Sequence, residues 1–79
     1  MRSKPDLSAM ADAWPSPFVA RDRLEIFSGG ILTSRTMANL DSRGEGVPGR
    51  IRIGRKVVYP VKSLIEWLEA RGQVLSEKV

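Results

Sequence analysis

Apolar positions recur along this chain with two spacings, and the switch between them divides it. From residue 33 to 43 the spacing is helical, with Met37 and Leu40 on one side. Arg35, Asn39 and Ser42 fall on the opposite side, flanked by Ala38 and Arg43. Thr33 or Ser34 can cap the N-terminus, and Gly44 and Gly46 end the element. Upstream, residues 18–30 predict a short helix opened by Arg21, Asp22 and Arg23. Leu24 and Phe27 share one of its faces, and Ser28-Gly29-Gly30 stops it. The stretch from Ser28 to Leu32 is a short glycine turn plugged by Ile31 and Leu32. Helix, glycine turn, helix is the helix-turn-helix arrangement. A final helix is predicted over 61–71, with Leu64, Trp67 and Leu68 as its buried stripe and Ile65 at the edge.

Between the last two helices the period drops to two. Ile51 and Ile53 alternate with Arg50 and Arg52, Gly54-Arg55-Lys56 turns the chain, and Val57-Val58-Tyr59 returns it. Packing argues the register. A two-residue turn sets Ile53 opposite Lys56 and removes Tyr59 from the apolar face. A three-residue turn at Gly54–Lys56 sets Ile53 opposite Val57 and Ile51 opposite Tyr59, gathering all four on one face. The three-residue turn is therefore the expectation.

The ends read differently. Pro5, Pro15 and Pro17 punctuate residues 1–17, which form an N-terminal appendage. Leu7, Met10, Ala11 and Trp14 still share one helical face. The segment is either a flexible tail or a two-turn helix that forms only against the domain or a neighbour. Residues 18–72 make the domain, and residues 73–79 are a loose C-terminal tail.

At 79 residues the chain can build one small core but no deep pocket. It has no cysteine and no histidine, which removes thiol nucleophiles, disulfides, imidazole acid–base work and structural zinc. Glu66 and Glu69 lack any nucleophile or metal partner and read as a solvated face. No catalytic constellation is visible, so the expectation is not an enzyme, with no cofactor and no small-molecule substrate. No apolar run reaches membrane-spanning length, and no secretory leader is visible. Lack of cysteine fits a reducing cytoplasm. The net charge is +4. By segment it is zero over residues 1–20, +1 over 21–43, +4 over 44–62 and −1 over 63–79. The excess thus concentrates on the hairpin and its approach, an electrostatic footprint for a phosphate backbone.

Two groups of residues carry the candidate chemistry. On the helix over 33–43, Arg35 can donate twice to guanine and Asn39 can pair with both edge groups of adenine. Ser34 and Ser42 can serve bases or phosphates, and Arg43 suits a phosphate. On the hairpin, Arg50 and Arg52 can track phosphates along one side, while Arg55 and Lys56 reach a backbone or minor groove from the tip. Each group has a plainer reading, an amphipathic helix and a solvated ribbon. The ribbon's like charges repel, and no acidic residues alternate with them in sequence. Tyr59 and Trp67 read as core anchors.

The run Gly29-Gly30-Ile31-Leu32-Thr33-Ser34-Arg35-Thr36-Met37-Ala38-Asn39-Leu40, with Arg43-Gly44-Glu45-Gly46, Ile51-Arg52-Ile53-Gly54-Arg55-Lys56-Val57, Tyr59 and Leu64-Ile65-Glu66-Trp67-Leu68, resembles a known family. It is similar to the excisionases, the recombination directionality factors of phages and integrative elements. AlpA-like prophage regulators and, distantly, the MerR DNA-binding domain are related. The resemblance covers about residues 18–70. It implies an α+β fold, a small winged helix-turn-helix of three helices with a two-stranded antiparallel hairpin wing. It also implies a groove-reading role for Ser34, Arg35, Thr36, Asn39 and Arg43, and a wing role for Arg52, Arg55 and Lys56. The implied partners are double-stranded DNA, a site-specific integrase and further copies of the chain on adjacent sites, with a nucleoid-associated cytoplasmic location. Two alternatives stay open. One is a transcriptional regulator of a prophage or mobile element, using the same reader. The other is a winged-helix protein adaptor whose basic hairpin meets an acidic protein.

Overall fold

A computed structural model describes residues 4–75; residues 1–3 and 76–79, the far ends of the two predicted tails, lie outside the described residues. Element order is α1 (Ala9–Ala13), β1 (Phe18–Ala20), a single 3-10 turn (Arg21–Arg23), α2 (Leu24–Phe27), α3 (Ser34–Ser42), β2 (Ile51–Ile53), β3 (Lys56–Pro60) and α4 (Val61–Arg71). The class is α+β, with four α-helices and a three-stranded antiparallel sheet ordered β1-β3-β2 among the described residues.

Three helices and two strands are the sequence expectation, so one helix and one strand are additions. The extra strand is β1. Phe18, Val19 and Ala20 pair antiparallel with Pro60, Tyr59 and Val58, where sequence spacing predicts the start of a helix. A three-residue segment offers too little periodicity to be read, and its partner lies some 40 residues downstream. The further helix is α1, within the segment for which both a flexible tail and a docked short helix are open in the sequence. The appendage is docked: Leu7, Met10 and Trp14 pack on the core, and the Leu7 amide donates to Glu69 Oε2 at 2.8 Å. Glu69 is thus an anchor rather than a purely solvated acid. The Trp14 ring meets Phe27 edge-on at 5.3 Å, and its indole N–H donates to the Phe18 carbonyl at 2.9 Å.

The hairpin register also departs from expectation. Ile51 faces Val58, Arg52 faces Val57 and Ile53 faces Lys56, around a two-residue turn at Gly54-Arg55. Gly54 has φ 62° and Arg55 does not share the positive φ, the pattern of a type II′ turn. Turn geometry that matches the strand twist has overridden the gathering of apolar side chains. Residues paired across strands share a sheet face. Val19, Tyr59, Val57 and Arg52 therefore face α3, while Phe18, Ala20, Val58, Ile51, Ile53 and Lys56 face away. Ile51 and Ile53, expected inside, are exposed.

The core gathers Val19, Leu24, Phe27, Leu32, Met37, Val47, Tyr59, Val61, Leu64, Ile65 and Leu68. Trp67 is only half-buried; its indole N–H donates to the Glu45 carbonyl at 3.2 Å and Arg71 stacks 4.6 Å above its ring. Helices α2 and α3 end alike. Gly30 and Glu45 amides bond to the Glu25 and Leu40 carbonyls, and Gly29 and Gly44 amides to those of Ile26 and Asp41.

Candidate nucleic-acid interface

Thr33 caps α3, its Oγ1 accepting from the Thr36 amide at 3.1 Å. Met37, Leu40 and Asp41 form the buried side of this helix. Ser34, Arg35, Thr36, Asn39, Ser42 and Arg43 are all exposed. At 100° per residue, Arg35, Asn39 and Ser42 occupy a sector of about 60° opposite the core. Ser34 and Ala38 lie on the flank toward the hairpin, and Thr36 on the other flank.

Two adjoining clefts join the helix to the hairpin. Ser34 lines one with Arg55, Lys56 and Asp22. Ser42 and Ala38 line the other with Arg50, Arg52 and Asp41. Ser34 and Ser42 of the helix and the hairpin cations therefore open onto common ground, while Arg35, Asn39 and Arg43 line neither cleft. The structure does not bring Thr36 there; it lines a separate apolar cleft with Ile31, Leu40 and Trp67. Arg43 stands beyond the helix end, 3.8 Å from Glu45.

The four hairpin cations are not equivalent. Lys56 Nζ is paired with Asp22, so an acidic partner exists that sequence alternation does not reveal. That bond holds the Asp22 carboxyl below its ordinary range. Arg50 leans back over the domain, 3.5 Å from the Val47 carbonyl and 3.9 Å from Asp41 Oδ1. Arg52, expected on the outward face, projects from the face that looks toward α3. Among the described residues, Arg35, Arg52 and Arg55 have no acidic partner within 4.0 Å.

Behind this surface lies a group that sequence reading misses. Arg21 Nη2 donates to Asp41 Oδ2 at 2.6 Å, the Tyr59 hydroxyl donates to the same oxygen at 2.6 Å, and Arg21 Nε donates to that hydroxyl at 2.9 Å. The Asp41 side chain is 6% exposed. Burial and the Asp41 hydrogen bond push the Tyr59 phenol up to about 12. Burial opposes the Arg21 charge, yet its bonds to Tyr59 and Asp41 outweigh that and raise it. Asp41 Oδ1 has no hydrogen-bond partner among the described residues. A Cβ on Gly46 would stand 1.6 Å from it, so the chain passes Asp41 closely only because residue 46 has no side chain. A signal for Asp41 existed: it lies four residues after Met37, a charge on the apolar side of a helix, where a buried partner is required.

Comparison of the chain with protein-family models, curated proteins and solved structures finds no match. Among the described residues no helix is long and apolar enough to cross a membrane, and no group of three or more acidic side chains is placed to hold a metal.

Proposed function

We propose that the chain is a winged helix-turn-helix protein that binds double-stranded DNA. In this reading α3 enters the major groove and the β2–β3 hairpin is the wing. One observation carries it: Ser34, Ala38 and Ser42 on the hairpin-side flank of α3 line the same two clefts as the hairpin cations, and Arg35, Arg52 and Arg55 are free of acidic partners among the described residues. Free guanidinium groups spaced along a helix and a ribbon suit a row of phosphates and the base edges between them. Arg35 and Asn39 read bases; Ser34, Ser42, Arg52 and Arg55 hold phosphates.

Within that class, the motif resemblance over residues 18–70 supports an excisionase. Such a factor binds adjacent sites, bends the duplex and turns an integrase toward excision. A module of this size covers only roughly 600–1,000 Å² of DNA, which favours several copies on repeated sites. Binding to fragments from around the gene itself, measured across salt concentrations, tests the reading. If four to six phosphates are neutralised, log affinity falls against log salt with a slope of roughly −4 to −5. A slope near zero would sink it. An excision assay with the integrase of the same element then separates excisionase from transcriptional regulator.

A further inference from the structure

The outward face of the hairpin carries an oddity that phosphate binding leaves unexplained. Ile53 is 63% exposed at the last position before the turn, and Ile51 behind it is 42% exposed against Val58. A ribbon meant only to present cations to phosphates would place polar residues there. The cross-strand neighbour of Ile53 is Lys56, whose amine is held by Asp22. Arg55 in the turn and Arg52 on the opposite face of β2 have no acidic partner among the described residues. The turn itself stands clear of the domain: a Cβ added to Gly54 would meet nothing within 4 Å. An exposed apolar side chain therefore stands beside the tip, next to the unpaired guanidinium of Arg55 in the turn, while Arg52 projects from the opposite face.

We propose that Ile53 is a wedge that enters the DNA minor groove and partly unstacks one base step, kinking the duplex. The inference rests on duplex binding through this hairpin. The minor groove is only about 6 Å wide, too narrow for a two-stranded ribbon to lie in but open to a single protruding side chain. Apolar residues inserted there kink DNA by roughly 20–90°. Arg55 in the turn holds a phosphate beside the opened step, and Arg52 holds one on the side toward α3. The two-residue turn leaves Ile53 exposed beside it, so its aliphatic surface is available to the bases. Choice of site then depends on step flexibility, with TA and CA/TG steps favoured on the wing side.

The test uses the full chain and a duplex it selects from a randomised pool, with dyes on the two ends and 2-aminopurine placed at successive steps. The parent chain should raise 2-aminopurine fluorescence several-fold at one step and bring the dyes together. Ile53→Ala should lose both signals, while affinity falls less than about tenfold and the salt slope stays unchanged. Ile53→Leu should restore them. Arg55→Ala should lower the salt slope by about 1 yet leave the bound duplex kinked. If Ile53→Ala kinks DNA as the parent does, or the parent binds without unstacking any step, the wedge is overturned and duplex binding stands. If the parent binds no duplex, both readings fall. If Ile53→Ala alters the sedimentation of the DNA-free chain, this face joins copies of the protein, and the wedge is overturned.

Discussion

Two neighbouring residues of one 3-10 turn enter opposite electrostatic settings. Arg21 points inward to Asp41 and Tyr59; Asp22 points outward to Lys56. Both contacts tie the turn to β3, but their weights differ. Asp41 is buried and its bonds are made in a dry setting, so removing a partner leaves a stranded charge. Asp22 and Lys56 are largely exposed, their side chains 51% and 64% accessible, and an exposed pair contributes about 0–1 kcal/mol. The inner group fixes where α3 lies against the sheet. The outer pair is open to solvent, and in the proposed DNA-binding reading a phosphate could displace its carboxylate. Rigidity and ligand chemistry are thus assigned to different layers, one residue apart.

The largest expected effect attacks the inner layer. Asp41→Ala should destabilise the fold by about 3 kcal/mol or more in urea titration, since it strands Arg21 and the Tyr59 hydroxyl. A loss below about 1 kcal/mol would erase the contrast between layers. Next is Gly46→Ala, whose Cβ would overlap Asp41 Oδ1, at about 1–3 kcal/mol. In an Asp41→Ala background that cost should shrink, and a double-mutant cycle reads the coupling. Strict additivity would mean that the two residues do not press on each other.

Tyr59 sharpens the comparison through pH. The unfolded phenol ionises near 10 and the folded one near 12, so the folded state favours the protonated form. This contribution is fully present below pH 10 and is lost as pH rises toward 12. Tyr59→Phe should flatten that part of the stability–pH curve, and parallel curves for the two proteins would refute the assignment. The smallest effect belongs to the outer layer. Asp22→Asn should change stability by no more than about 1 kcal/mol while freeing Lys56, raising DNA affinity a few-fold at low salt. Weaker DNA binding would mean that Asp22 positions the lysine rather than competing for it.

The same division governs what the amino-acid pattern reveals. Helices α3 and α4 are legible because their apolar positions recur locally and glycine or a cap marks their ends; Thr33, Gly44 and Gly72 stand at those ends. The exposure of Ser34, Arg35, Asn39, Ser42 and Arg43 follows from the same periodicity. What escapes is set by distance. Strand β1 exists because Tyr59 and its neighbours offer hydrogen bonds, and nothing within Phe18-Val19-Ala20 announces it. The Lys56–Asp22 pair spans 34 positions and the Arg21–Tyr59 bond 38, so neither appears as a local alternation. The hairpin register fails for another reason. Packing alone favours burial of Ile53, whereas the observed register follows the positive φ of Gly54 in a two-residue turn.

The sheet order β1-β3-β2 leaves its two margins on strands of only three residues each. On one of them Arg52 interrupts the isoleucines. Such brief, charge-broken borders offer an incoming chain too few hydrogen bonds to extend the sheet. The fold can therefore display aliphatic side chains on a ribbon without offering that ribbon's edge as a template for further strands.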